Sequence, residues 1–220
     1  MKLLLTSAGI TNTSIFVALV ELLGMPIAEC RALLISTASY PLRGGPELAW
    51  NFIAGEEPRT PMAELGWQSV GVVELTALPS IDRATWQAAV QDADVLLVNG
   101  GDPIYLDRWM RESGLAELVP SLRAVWVGLS AGSLVMGPRI ADSFAAWTSP
   151  VGGEGLGMVD FEIFPHLDNP DLPKNSMADA ERWASGLTGQ GYAIDDETAI
   201  TVVDDTVDVV SEGHWRLFAP

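Results

Sequence analysis

The first two thirds of the chain alternate short, uninterrupted apolar runs with segments of helical spacing. No other feature limits the fold as strongly. The runs are "KLLLTS", "RALLIST", "SVGVVEL", "DVLLVNG" and "AVWVGL". A strand that is apolar on both faces must be covered on both faces, and strands separated by helices pair in parallel through crossovers. Between the runs lies "NTSIFVALVELLG", with a cap near Asn12 or Thr13 and a stop at Gly24. Then come "PELAWNFIAG", "SIDRATWQAAVQDA" with Ser80 or Asp82 near its start, and "PIYLDRWMRESG" with Pro103 in its first turn. The expected architecture is α/β, a mostly parallel sheet with helices on both faces.

After Pro138 the pattern changes. "GLGMVDFEIFPHLD" alternates Val159, Phe161 and Ile163 with Asp160 and Glu162, the signature of a half-exposed strand. "SMADAERWASGL" reads as a helix with Ser176 as N-cap, and "YAIDDETAITVVDDTVDVVSEGHWRLF" as short strands joined by the acidic turns "DDT" and "SEG". No repeat, low-complexity stretch or linker interrupts the chain. Residues 1–220 are therefore expected to form one α/β domain.

Charge narrows the partners. Lys and Arg number 12 against 29 Asp and Glu, a net charge of −17, which repels phosphate backbones and anionic lipid. Neither nucleic acid nor a membrane is an expected partner. Cys30 is the single cysteine, so no intramolecular disulfide forms, and its place beside "RALLIST" predicts a buried, inert thiol. The opening "MKLLLTSAGITNTS" breaks its apolar run after Leu5, and no segment approaches 18 uninterrupted apolar residues. The expectation is a soluble, cytoplasmic protein. Two distant histidines give no metal-ligand spacing, and "NGGDP" lacks the pattern of a phosphate-binding loop, so no metal or cofactor is expected. The eight tryptophans sit mostly at core-like spacings.

The chemistry concentrates in "AVWVGLSAGSLVMGP". Gly128, Ser130 and Gly132 form G-x-S-x-G directly after an apolar strand, where a tight turn with small neighbours lets a serine stand clear as a nucleophile. The Ala131 N–H then points to where an oxyanion would form, and the glycines Gly100 and Gly101 after "VLLVN" offer a second donor. His166, at a strand end entering "PHLDNPDLP", is the better-placed base, whereas His214 reads as an exposed histidine beside a turn. For the acid that orients the base, Glu154, Asp160, Asp168, Asp195, Asp196 and Glu197 all remain open.

These residues resemble a known family, the serine peptidases that include peptidase E (an aspartyl dipeptidase) and cyanophycinase. The resemblance rests on "MKLLLTSAGITN", "VLLVNGGDPIYL", "VGLSAGS" and "FPHLD", with "AIDDETAI" looser and closer to the cyanophycinase-like branch. It implies a flavodoxin-like sheet of the class I glutamine amidotransferase kind, with Ser130 as nucleophile, His166 as general base, and Gly101 with Ala131 as oxyanion hole. In peptidase E the acid lies midway between serine and histidine, where this chain has Ala145. The other branch implies Asp196, with Glu154 next and Asp168 third. The arginine that holds a substrate aspartate falls near Ala180, one turn position from Arg182, and only Lys174 stands where the other branch has arginines. A domain this small, without a lid domain, suits a short peptide substrate, and the resemblance adds dipeptides with an N-terminal Asp; a homodimer is a further expectation. The competing expectations are an α/β-hydrolase esterase and a catalytically weak relative that binds a ligand or partner. Ser130 where a cysteine thiolate would be needed argues against a glutamine amidotransferase.

Overall fold

The apolar runs form the strands that the alternation predicts. The computed structural model describes residues 1–56, 60–147, 153–204 and 206–219. The strands β1 (Lys2–Thr6), β2 (Arg31–Ile35), β3 (Ser69–Val72), β4 (Val95–Val98) and β5 (Val125–Leu129) run parallel to one another. Near the end of the chain, β8 (Thr198–Val203) and β9 (Thr206–Ser211) join this sheet antiparallel, in the order β3-β2-β4-β5-β1-β8-β9. Asp205, inside the "DDT" turn, lies outside the described residues.

Alternate residues of each parallel strand feed the cores on opposite faces. Leu3, Leu5, Leu96, Val98 and Trp126 face one side, while Leu4, Leu34, Leu97, Val125 and Val127 face the other. Helices cover both. α1 (Thr13–Leu23) buries Ile15, Leu19 and Leu22 against the second face, where Phe52 of α2 (Gly45–Ala54) also packs. α3 (Arg83–Gln91) and α4 (Pro103–Glu112) bury Trp86, Val90, Leu106 and Met110 against the first. The caps follow local chemistry. The Asn12 side chain accepts from the Ile15 N–H, Gly24 closes α1 in the left-handed region, and Asp82 and Asp102 cap α3 and α4.

A second sheet follows. β6 (Phe161–Phe164) pairs parallel with β7 (Gln190–Ile194), and β10 (Trp215–Phe218) pairs antiparallel with β7. Between them α6 (Met177–Ala184) starts at Ser176 in a capping box with Asp179. Here one expectation is corrected: β6 is buried throughout, not half-exposed. Phe161 and Ile163 join the large core, and Phe164 packs against Ala180 and Trp183. Glu162 is only 5% exposed and lies 3.2 Å from the Arg139 guanidinium, which compensates its buried charge. The alternation read as surface is a polar residue with a buried partner. Tryptophan burial is also less uniform than expected: Trp67, Trp86 and Trp126 are buried, but Trp50 is 63% exposed. Cys30 is fully buried, and burial pushes its thiol pKa up.

Candidate active site

Three neighbouring parallel strands, β4, β5 and β1, carry the site at their carboxyl ends, the edge where open α/β sheets place ligands. β5 runs into Ser130 and then the short helix α5 (Ala131–Leu134). Ser130 has φ 46° and ψ −105°, a left-handed conformation rare for a side-chain-bearing residue and held by its surroundings. Its N–H donates to the Thr6 carbonyl at 2.9 Å. The Ser133 hydroxyl donates to the Gly128 carbonyl at 2.8 Å and accepts from the Thr6 N–H at 2.9 Å. Thr6 Oγ1 donates to that same Gly128 carbonyl and accepts from the Gly9 N–H, both at 2.8 Å. The flanking glycines are steric requirements. A Cβ on Gly128 would sit 2.4 Å from the Gly132 carbonyl oxygen, and one on Gly132 would sit 2.4 Å from that of Val98.

After β4, Gly101 adopts φ 135°, and a Cβ there would lie 2.2 Å from the Ala38 carbonyl oxygen. Asn99 donates to Ser39 Oγ at 3.0 Å, Ser39 Oγ donates to the Gly100 carbonyl at 3.2 Å, and the Asp102 N–H donates to Ala38 at 2.8 Å. These bonds fix the glycine turn. Among the described residues, the N–H groups of Gly101 and Ala131 make no hydrogen bond. A Cβ on Gly100 would lie 3.4 Å from Ser130 Cβ, which sets this turn beside the serine.

His166 follows β6 through Pro165 and also has positive φ, 54°. Its N–H donates to Ser7 Oγ at 2.9 Å, and Ser7 Oγ donates to the Ile194 carbonyl at 3.0 Å. The adjacent residues Thr6 and Ser7 thus hold the serine turn and the histidine turn. The His166 ring meets Asp196, in the three-residue connection between β7 and β8, with Nδ1 2.6 Å from Oδ1. Asn169 donates to the other carboxylate oxygen at 2.5 Å, and Thr11 Oγ1 donates to the Asp196 carbonyl at 2.7 Å. Burial pushes the Asp196 carboxyl pKa up, but the His166 and Asn169 donors outweigh it and hold the group below its ordinary value.

The alternative acids stand elsewhere. Asp168 and Asp195 both face His214, and Glu154 is exposed and bridges to Arg139 through its backbone. The loop carrying Ala145 is anchored by the fully buried Asp102, whose Oδ2 accepts from the N–H groups of Ala146 and Trp147 at 2.6 Å each. Ala180 is fully buried, and Arg182 is ion-paired with Asp179. Sequence reasoning missed Thr6, Ser7 and Asn169. Asn169 had a usable signal, three residues beyond His166 on the same turn, whereas two buried hydroxyls at a strand end had none. No group of His, Cys, Asp and Glu side chains among the described residues is arranged to hold a metal. No helix among them is long and apolar enough to cross a membrane.

A flavodoxin-like α/β sheet, a strained serine turn at its carboxyl edge and a histidine–aspartate pair tied to the next strand define the class: an α/β protein carrying the groups that serine hydrolysis uses. The chain belongs to peptidase family S51, whose family profile matches residues 54–210. It is 34% identical over 147 residues to Peptidase E of Citrobacter koseri, covering 65% of this chain and 58% of that protein. To Peptidase E of a Nostoc species it is 30% identical over 91 residues, 40% of this chain and 38% of that one. The chain therefore aligns with less than two thirds of the length of these relatives. Among solved structures, a peptidase from an acI-B1 Actinobacterium superposes with a TM-score of 0.71 at 19% identity, covering 99% of this chain and 90% of that one. A protein from Listeria monocytogenes assigned as a Peptidase E gives 0.65 at 17%, covering 96% and 98%. At such identity these structures speak for the fold alone.

Proposed function

We propose that the protein is a serine peptidase that hydrolyses short peptides. The observation that carries this reading is the 2.6 Å contact between His166 and Asp196, the base and acid that a serine on the G-x-S-x-G turn requires. With Asp196 accepting from Nδ1–H, the neutral ring presents Nε2 as a base. Ser130 Oγ attacks the peptide carbonyl while His166 takes its proton, and the N–H groups of Gly101 and Ala131 receive the oxyanion. The C–N bond then breaks, His166 returns the proton to the leaving amine, and water releases the acyl group by the same steps in reverse.

Dipeptides with an N-terminal Asp belong to the substrate range the family relationship suggests. The buried Ala180 and the ion-paired Arg182 leave no arginine at the position where that specificity would need one, which favours a broader short-peptide range. The test is labelling with a fluorophosphonate probe, comparing the wild type with Ser130→Ala and His166→Ala. Labelling lost in both variants supports the serine–histidine pair. A folded wild type that never labels refutes it.

A further inference from the structure

The sequence holds two histidines, and the proposed mechanism uses one. The other, His214, lies in the connection between β9 and β10 with its side chain 54% exposed, yet its ring Nε2 and its backbone N–H are both hydrogen-bonded to carboxylates. Nε2 lies 2.9 Å from Asp168 Oδ2, and Nδ1 lies 2.9 Å from Asp195 Oδ2. The His214 backbone N–H also donates to Asp195 Oδ2, at 2.6 Å, which fixes the ring's approach. Asp168 is two residues beyond His166 on the same turn, and Asp195 immediately precedes Asp196.

We infer that His214 is a positioning residue whose ring and backbone N–H clip the turn carrying His166 to the turn carrying Asp196. The inference rests on the proposed roles of Ser130, His166 and Asp196. The ring reaches Asp168 through Nε2 while the backbone N–H of the same residue holds Asp195, so a single residue ties both turns.

The two turns have reason to need such a clip. His166 and Asp168 both adopt positive φ, 54° each, a conformation that costs free energy and persists only where contacts enforce it. The Asp195 carboxylate is nearly buried and otherwise accepts from the Glu197 N–H and the Thr198 hydroxyl, so it is a fixed anchor. Asp168 accepts from the Met177 N–H, and the His214 and Met177 donors hold its carboxyl pKa below the ordinary value. On the acid side, the clip therefore persists until pH falls below the usual carboxylate range. The remaining charges nearby are committed elsewhere: Glu197 to Asn12, Glu212 to the Ser14 N–H, and Arg216 to Glu181.

The test measures the rate of Ser130 labelling by a fluorophosphonate probe at a single pH, together with amide hydrogen exchange at Leu167, Asp168 and Met177. The proteins are the wild type, His214→Gln, His214→Arg and Asp168→Asn. His214→Gln is expected to label about fivefold more slowly, the upper end of what one exposed ion pair supports, and to exchange faster in the turn. His214→Arg, which can still reach Asp168, is expected to keep the wild-type rate, while Asp168→Asn follows His214→Gln. Identical exchange in wild type and His214→Gln overturns the clip. Faster exchange with unchanged labelling, or His214→Arg behaving as His214→Gln, overturns its positioning role. A wild type that resists the probe while exchange responds as described refutes the reading of Ser130 and supports the clip.

Discussion

Two adjacent glycines, Gly100 and Gly101, should respond very differently to the same added methyl group. At Gly101 the new Cβ meets only backbone: the Ala38 carbonyl oxygen at 2.2 Å, its carbon at 2.4 Å and the Ser39 nitrogen at 2.8 Å. No side chain can swing aside, and φ 135° is itself unfavourable for alanine. Overpacking of about 1–3 kcal/mol adds to backbone strain of about 1–3 kcal/mol, so Gly101→Ala should cost about 4 kcal/mol. For a chain of this size, that lowers Tm by about 8–16 °C. At Gly100 the clash is with Leu129 Cδ2 at 2.8 Å, the tip of a side chain that can change rotamer, and Ser130 Cβ is at an acceptable 3.4 Å. Gly100→Ala should cost about 1 kcal/mol and about 2–4 °C. Thermal unfolding followed by circular dichroism measures both variants. Equal losses, or a loss under about 1 kcal/mol at Gly101, would refute the claim that this turn is built against backbone.

Four further outcomes follow from the site and the core around it. Asp196→Asn should slow probe labelling of Ser130 by at least about 100-fold, because the amide no longer holds the tautomer that leaves Nε2 basic. Because the Asp196 carboxyl is held below its ordinary pKa, its contribution to stability is present above that ordinary value and is lost as pH falls through the lowered one. Comparing acid unfolding of wild type and Asp196→Asn should show that dependence only in the wild type. Thr6→Val should lower Tm by about 4–8 °C, since it orphans the buried Gly9 N–H at a cost of about 2 kcal/mol. Cys30, fully buried with its thiol pKa raised, should resist a thiol-reactive disulfide reagent until denaturant unfolds the chain. Rapid modification of the native protein would contradict the packing around β2.

The parallel half of the fold was legible because its signals are local. Apolar runs with Asn12, Asp82 and Asp102 caps and a Gly24 stop specify strands and helices without knowledge of what packs on them. The serine turn was legible for the same reason, since Gly128 and Gly132 are demanded by contacts within the turn and with the next strand. β6 was misread because the exposure of Glu162 depends on Arg139, 23 residues away, and periodicity carries no word of a distant partner. Residue chemistry alone left six acids open. The resemblance pointed to Asp196, but the reason it rather than Asp195 meets His166 lies in how two sheets meet. The engagement of His214 was hidden likewise, because its two carboxylates come from turns 46 and 19 residues away.

Asp196 sits where the chain leaves β7 of the small sheet and enters β8 of the large one, with only Asp195, Asp196 and Glu197 between. β8 is locked to β1 by the pairing of Ala199 with Thr6, and β7 to β6 by that of Ala193 with Phe164. The carboxylate that meets His166 is thus located by counting residues between two fixed ladders, as a mark on a ruler clamped at both ends. The Asp195 and Asp196 side chains are fixed by their hydrogen bonds, and the length of the connection is fixed as well. One residue added or removed would move a different acid opposite the imidazole. Sequence drift in this region should therefore preserve spacing as strictly as these two acids, and a relative with a longer connection would have to draw its acid from another loop.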